Sequence, residues 1–405
     1  MSFSSLGLSP SILTVIDEMA YITPTPIQKK AIPAILQGKD VLAAAQTGTG
    51  KTAAFSLPVV EKLSQGNSVK SNQVRSLILV PTRELALQIE QAVKIICGAF
   101  KLHSNVVFGG VKINPQMMTL RKGSDVLIAT PGRLLDLYKQ NAIQFTQLEI
   151  LVLDEADRML DMGFRDELQE IIALLPKQRQ NIMFSATFSD ETRSFAKQML
   201  TDPTEISVNP QMTTAMTIEQ WLYPVDTKRK SALLSHLIKS NNWKQVLVFC
   251  KTKQAANKIV QYLQKKSINA AAIHGDKSQG ARTRALSEFK AGSSTVLVAT
   301  DLAARGLDIN QLPQVVNYDL PHITEDYIHR IGRTGRAGLT GEAISFVCAD
   351  DFAKLCEIER LIKKLILRKH IKAFEPVNAL PESMLDTRPI KPKKPKKPKK
   401  PKQPR

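Results

Sequence analysis

The chain has only four cysteines in 405 residues, Cys97, Cys250, Cys348 and Cys356, and no two stand at a metal-ligand spacing. That argues against a disulfide scaffold or a zinc ribbon. It fits small core hydrophobes in a reduced, cytoplasmic setting. No apolar run approaches the roughly 20 residues that cross a bilayer. The first five residues lack the basic start and apolar core of a secretory signal. Acid is missing from the other end, where residues 388–405 hold ten Lys/Arg and no Asp or Glu. Of the net charge of +19, the remaining body carries +9, from 46 basic and 37 acidic residues. Both parts suit a polyanionic partner, and for the body an ordinary solvated surface reads equally well.

What is present is a repeated alternation of short apolar runs and helical stretches, with room for two or three domains. The first block predicts strands at 41–45, 76–81, 105–108, 125–130, 150–154 and 181–185. The second predicts strands at 220–225, 245–250, 270–274, 295–300, 314–318 and 343–348. Several are apolar throughout, as in a parallel sheet covered on both faces, and helices such as 84–99 and 254–265 supply the crossovers. The expectation is an α/β chain of two open parallel sheets in series, at 1–207 and 218–372. A polar linker containing Pro210 is expected at 208–217. Beyond 373 the apolar pattern fades into a Lys/Pro repeat, expected to be extended and disordered.

Ala45-Gln46-Thr47-Gly48-Thr49-Gly50-Lys51-Thr52 follows an apolar run and precedes a helical stretch. Strand, glycine loop and helix is the setting of a phosphate-binding loop. Glycines let backbone N–H groups curl round an oxyanion, and the helix start adds partial positive charge. Lys51 would reach β- and γ-phosphates and the Thr52 hydroxyl would ligate Mg²⁺. The first position is Ala rather than the pattern's Gly. The competing reading is a glycine turn with an exposed lysine. Asp154-Glu155-Ala156-Asp157 closes another apolar run, where open α/β sheets place ligands. Asp154 would hold Mg²⁺ through water, and Glu155 could orient and deprotonate an attacking water; the competing reading is a solvated acidic turn.

These four residues spell the name of a family: the sequence resembles the DEAD-box RNA helicases of superfamily 2, from Phe3 to about Cys348 and with the motifs in the family's order. General likeness and the basic end place it nearest the bacterial RhlE-like subgroup. The resemblance implies two tandem RecA-like P-loop domains, and it accounts for Ala45, since Ala is usual there. Tyr21-Ile-Thr-Pro-Thr-Pro-Ile-Gln28 looks like the Q motif with Phe3 ahead of it, so Gln28 would read adenine and Tyr21 would stack on it. Pro81-Thr82-Arg83, Gly109-Gly110 and Thr130-Pro131-Gly132-Arg133 match the RNA-backbone motifs of the first domain. Each also reads as an ordinary strand–helix turn.

Ser185-Ala186-Thr187 corresponds to the motif coupling the nucleotide site to domain closure, beside Asp157. In the second block the resemblance assigns RNA contacts to Gly275, Arg282, Thr300 and Asp301, and the ATP ribose to Asp308. Arg333 and Arg336 would be arginine fingers, and His329 would bridge to Asp157. The implied activity is RNA-dependent ATP hydrolysis by a monomer that uses ATP and Mg²⁺, unwinding short RNA duplexes locally or remodelling RNA–protein complexes. An ATP-dependent RNA clamp that unwinds little is the alternative. Contacts to sugar and phosphate imply weak sequence preference, and 2′-OH groups favour RNA over DNA.

Overall fold

A computed structural model describes residues 2–45, 49–208, 218–304, 309, 312–335 and 341–386. Its frame is a pair of seven-stranded sheets with every pairing parallel. The first contains β1 (Val41–Ala44), β2 (Val74–Leu79), β3 (Ser104–Val107), β4 (Ser124–Ala129), β5 (Ile150–Leu153), β6 (Gln180–Ser185) and β7 (Thr204–Ser207), in the order β3-β4-β2-β5-β6-β1-β7. The second contains β8 (Glu219–Pro224), β9 (Val246–Phe249), β10 (Ala270–Ile273), β11 (Val296–Ala299), β12 (Gln314–Asn317), β13 (Glu342–Val347) and β14 (Leu367–Arg368), in the order β10-β11-β9-β12-β13-β8-β14. Strand by strand the second order repeats the first.

The central strands are apolar on both faces because helices cover both. Within each run the period of two still sorts the residues. In the first sheet Val41, Ile78, Ile128, Val152 and Ile182 enter one core, while Leu42, Leu77, Leu127, Leu151 and Met183 enter the other. In the second, Val246, Val248 and Val298 oppose Leu247, Phe249 and Leu297 in the same way. Cys97 and Cys250 lie buried in these cores, where burial pushes each thiol up to about 12.

The predicted strands are found within a residue or two of their expected ends. Each sheet also gains an edge strand that the pattern did not predict. In β7 only Ile206 is buried, and β14 is two residues long with Leu367 63% exposed, so neither presents an apolar run. A second difference concerns the chain beyond 372, expected to be disordered from 373. Residues 373–386 instead pack on the second sheet. Arg368 donates to the carbonyls of Leu380 (3.0 Å) and Pro381 (2.6 Å). Both Asp226 oxygens accept from the Val377 N–H, and Leu380 is buried. Backbone groups hold this strap, so it needs no periodic apolar face. Of the expected linker only Val208 is described, its N–H on the Ala44 carbonyl at 3.0 Å. The remainder, and residues 387–405, fall outside the described residues.

The helix Phe352–Ile362 ends on Lys363, at φ 54° in the left-handed region, with the Lys364 N–H on the Glu359 carbonyl. Glycine suits that position, because a Cβ there costs about 1–2 kcal/mol, less the chain entropy that glycine gives the unfolded state. Lys363→Gly is therefore expected to stabilise the second lobe by about 0.5–1 kcal/mol, a rise of about 1–4 °C in Tm. Thermal melting of the variant tests this, and a lower Tm contradicts it.

Because all strands of a sheet run one way, the loops after them share one edge. On that edge the order of strands separates two sets of motifs. β1, β6 and β5 are contiguous and lead into Lys51, Ser185 and Asp154. β2, β4 and β3 are contiguous and lead into Thr82, Thr130 and Gly109.

Candidate nucleotide and nucleic-acid site

Lys51 opens the helix Lys51–Ser64, and Gly50 before it takes φ +88°. A side chain at Gly50 would be strained by that φ and would meet Gln28 Nε2 at 2.5 Å. The Gln28 amide is what fills that space. Its Oε1 accepts from the Thr25 N–H (2.8 Å), closing a capping box on the helix Pro26–Leu36, and its Nε2 donates to the Gly50 carbonyl (3.1 Å). The expected base-reading residue is thus tied directly to the phosphate loop. Phe3, Tyr21, Gln28, Gly50, Lys51 and Thr52 line one cleft of about 680 Å³ together with Asp154 and Glu155. Thr49 precedes it in the loop. Gln46, Thr47 and Gly48 lie outside the described residues, as do Asp308 and Arg336.

Lys51 Nζ is buried, sits 3.6 Å from Asp154 Oδ1 and makes no hydrogen bond. A buried ammonium with unmet donors, at the start of a helix of 14 residues, has the chemistry to receive an anion. Burial raises the Asp154 carboxyl above its ordinary value, and Lys51 reverses this only in part. Burial acts the same way on Glu155, but Arg158, Lys51 and Arg333 together outweigh it and hold that carboxyl below its ordinary value. Arg158 Nη1 donates to Glu155 Oε2 at 2.5 Å. Glu155 itself stands at φ 56°, a strained backbone for a residue with a Cβ. Neighbouring carboxylates with opposite shifts are a feature of acid–base sites.

Asp157 accepts from the Ala186 N–H (3.2 Å), the Thr187 N–H (3.0 Å) and the Thr187 hydroxyl (2.9 Å). The Ser185 hydroxyl donates to the Thr187 carbonyl at 2.6 Å. The expected bridge from His329 to Asp157 is not made. The two residues face one cavity of about 490 Å³, but His329 Nδ1 lies 3.7 Å from Asp326 Oδ1, one turn earlier in its own helix. The near carboxylate wins because Asp157 already serves the Ser-Ala-Thr turn. Arg333, buried, comes from the second lobe and lines a crevice with Arg158 of the first.

A second cleft, of about 420 Å³, gathers Pro81, Thr82, Arg83, Gly109, Thr130, Gly132 and Arg133 of the first lobe with Gly275 and Arg282 of the second. Pro131 opens the helix Pro131–Lys139 there. Arg133 donates through Nη2 to the Val111 carbonyl at 2.9 Å, while its Nε and Nη1 are buried without hydrogen-bond partners. Gly110, at φ +77°, leaves the space that the Arg83 guanidinium fills. Two expected RNA contacts are otherwise engaged. Arg282 Nη2 lies 2.9 Å from Glu84 Oε1 across the lobes. Asp301 is gripped by Arg330, whose Nε and Nη2 donate to its two oxygens at 2.5 and 2.7 Å. Thr300 stands just before Asp301, at the end of β11.

A family model described as DEAD/DEAH box helicase matches residues 25–195, and one described as helicase conserved C-terminal domain matches residues 229–338. The DEAD-box ATP-dependent RNA helicase CshA of Geobacillus kaustophilus is 40% identical over 367 residues, covering 91% of this chain and 78% of its own length. The chain belongs to the DEAD-box ATP-dependent RNA helicases. RhpA of Helicobacter pylori is similar to this helicase at 41% identity over 361 residues, 89% of this chain and 72% of that one. Among solved structures, S. cerevisiae Dbp5 bound to RNA and ADP BeF3 superposes with a TM-score of 0.81 at 33% identity, over 91% of this chain and 95% of that chain. Both lobes are RecA-like. Residues that the sequence reading passed over also take part in these contacts. Arg158 was legible as a partner three residues along the helix from Glu155. Glu84 and Arg330 carried no such local signal.

Proposed function

We propose that this helicase couples ATP binding and hydrolysis to lobe closure on RNA, separating short duplexes locally or remodelling RNA–protein complexes. Family membership makes it an RNA-dependent ATPase and helicase. One observation carries the composite mechanism: buried Arg333 of the second lobe lines one crevice with Arg158 of the first, whose guanidinium donates to Glu155 at 2.5 Å. Lys51 and the helix start hold the β- and γ-phosphates. Glu155 orients a water and takes its proton while the water oxygen bonds to the γ-phosphorus and the bond to the bridging oxygen breaks. Arg333, with Arg336, stabilises the charge on the transferred phosphoryl group. Phe3 and Tyr21 supply the apolar wall for the base.

Thr52 and Asp154 offer two oxygen donors, and among the described residues no cluster of three His, Cys, Asp or Glu is built for a metal. That donor set fits Mg²⁺, which fills most of its shell with water and phosphate oxygens and would supply charge neutralisation at the β- and γ-phosphates. Arg83, Arg133 and the N–H groups at Gly109, Gly110 and Gly132 receive the RNA backbone, so binding is largely blind to sequence. The basic end, residues 387–405, adds electrostatic attraction to structured RNA. The proposal extends to a cytoplasmic monomer of the RhlE-like subgroup, supported by general likeness and the Lys/Pro end.

Gln28 supports ATP in particular. An amide has two donors and two acceptor sites, and the bonds to Thr25 and Gly50 leave one of each. Adenine presents an N6 donor beside an N7 acceptor, whereas guanine presents two acceptors, O6 and N7. Steady-state hydrolysis of ATP and GTP, with and without RNA, tests the reading. The expected result is turnover stimulated by RNA and confined to ATP. Equal use of GTP, or no effect of RNA, contradicts it.

A further inference from the structure

The cleft that holds Lys51 and Gln28 runs on past both of them, and its far wall is the helix Arg83–Gly98. Leu85, Ala86, Ile89, Val93 and Ile96 of that helix are buried in the core. A second stripe, Gln88, Gln91, Ala92 and Ile95, lies beside the first at helical spacing and lines the cleft instead. From Gln88 to Ile95 it runs about 10 Å, at the rise of an α-helix. The near wall is the turn after the helix Pro10–Glu18. Ala20 stands there at φ 55°, and the Tyr21 N–H donates to the Ile16 carbonyl at 3.0 Å, a left-handed cap that glycine usually fills. This cap fixes where Tyr21 and Ile22 enter the cleft, and backbone strain of this kind gathers at ligand sites. The walls carry uncovered apolar groups: Ile22 is 88% exposed, Ile95 51% and Tyr21 37%. Three such side chains around one cavity, rimmed by polar Thr23, Gln88 and Gln91, mark a binding groove better than an ordinary surface.

We propose that this stretch is a subsite for an apolar group on the adenine ring, with Ile22 and Ile95 as its specificity-determining residues. The ligand class is an adenosine triphosphate that carries an alkyl or aryl group on the exocyclic N6. The inference rests on the nucleotide reading of the cleft given above. Thr25, Gln28 and Gly50 are tied together at one end of the cleft and take the N6–N7 edge of the base. The N1 edge is then left to the walls that Gln28 does not line, those of Ile22 and Ile95. A nucleotide with one substituent on N6 retains one N6 hydrogen. With the substituent turned towards N1, that hydrogen stays beside N7, so Gln28 keeps both of its bonds to the base. The substituent covers Ile22 and Ile95, and the apolar area it takes from water favours the complex. ATP itself has no group that reaches this shelf, so ordinary turnover does not reveal it.

The test uses the full chain with Mg²⁺ and measures the binding of ATP and of N6-benzyl-ATP by titration calorimetry. The ratio of the two dissociation constants is the readout. The wild type is expected to bind N6-benzyl-ATP about ten-fold more tightly than ATP. Ile22→Gln and Ile95→Gln place polar side chains at exposed positions, and melting curves confirm that each variant is folded. Each is expected to cut the preference about three-fold, and a joint variant to remove it. A wild type that binds N6-benzyl-ATP no better than ATP overturns the subsite. A preference that survives in the joint variant overturns it too, because the benzyl group is then held elsewhere. Lys51→Ala separates this inference from the reading beneath it. Unchanged ATP binding in Lys51→Ala overturns the nucleotide reading of the cleft and the subsite with it. Weakened ATP binding in Lys51→Ala, with no wild-type preference for the benzyl analogue, overturns the subsite alone.

Discussion

Arg333→Ala is expected to keep ATP bound and to lower RNA-stimulated turnover about 10³-fold, the lower end of the range for a missing arginine finger. Two effects run in the same direction. The variant removes a guanidinium from the developing charge on the phosphoryl group. It also removes one of the three cations that hold the Glu155 carboxyl below its ordinary value, after Arg158 and Lys51. Arg158 and Lys51 remain beside Glu155, so most of the loss falls on the transition state. On the proposed reading ATP affinity is set in the first lobe, by Lys51, the helix start and the Gln28 side, so a fluorescent ATP analogue should bind the variant as it binds the wild type. Turnover within ten-fold of wild type would show that the second lobe contributes no charge to hydrolysis. The composite site would then be wrong.

The second large effect belongs to Glu155→Gln. The amide has nearly the same shape and can still accept from Arg158, so the strained turn at φ 56° should survive. What it cannot do is take a proton from water. General-base catalysis contributes about 10²–10⁴-fold, and a loss of at least 10² in single-turnover hydrolysis is expected. Closure needs ATP and RNA but not their chemistry, so the variant should accumulate as a long-lived complex with both, visible as slow RNA release. Fast hydrolysis in Glu155→Gln would move the proton acceptor elsewhere in the cleft.

Much of the architecture was written locally. The apolar runs ending in Ala45, Pro81, Thr130 and Asp154 identified parallel strands because both faces of each are buried, and the residues after each run carried the chemistry. Periodicity could not reveal what depends on distant pairing. Ile206 alone does not make a pattern, so β7 was missed, and β14 is too short to have one. The stretch from 373 to 386, which has no lysine, is held by Arg368 and Asp226, which sequence reading had no reason to connect with it. The order of strands was likewise silent, and it is what divides the phosphate motifs from the backbone-binding ones. At the sites, residues singled out by type do gather in common clefts, but sequence did not point to every partner. Arg282 and Asp301 carry charges that suit nucleic-acid motifs, yet Glu84 and Arg330 hold them. His329 follows its neighbour Asp326 for the same reason, that a carboxylate within reach outcompetes one across a cavity.

On the proposed reading of Gln28, its bond to the Gly50 carbonyl would make base recognition and phosphate recognition parts of one linkage. A purine with the wrong edge does more than lose two hydrogen bonds at its ring. On that reading it would also draw the amide away from the loop whose next residue is Lys51 and hold the triphosphate askew. Discrimination between purines should therefore be felt at the γ-phosphorus, in how fast the wrong nucleotide is cleaved once bound, as well as in how tightly it is held.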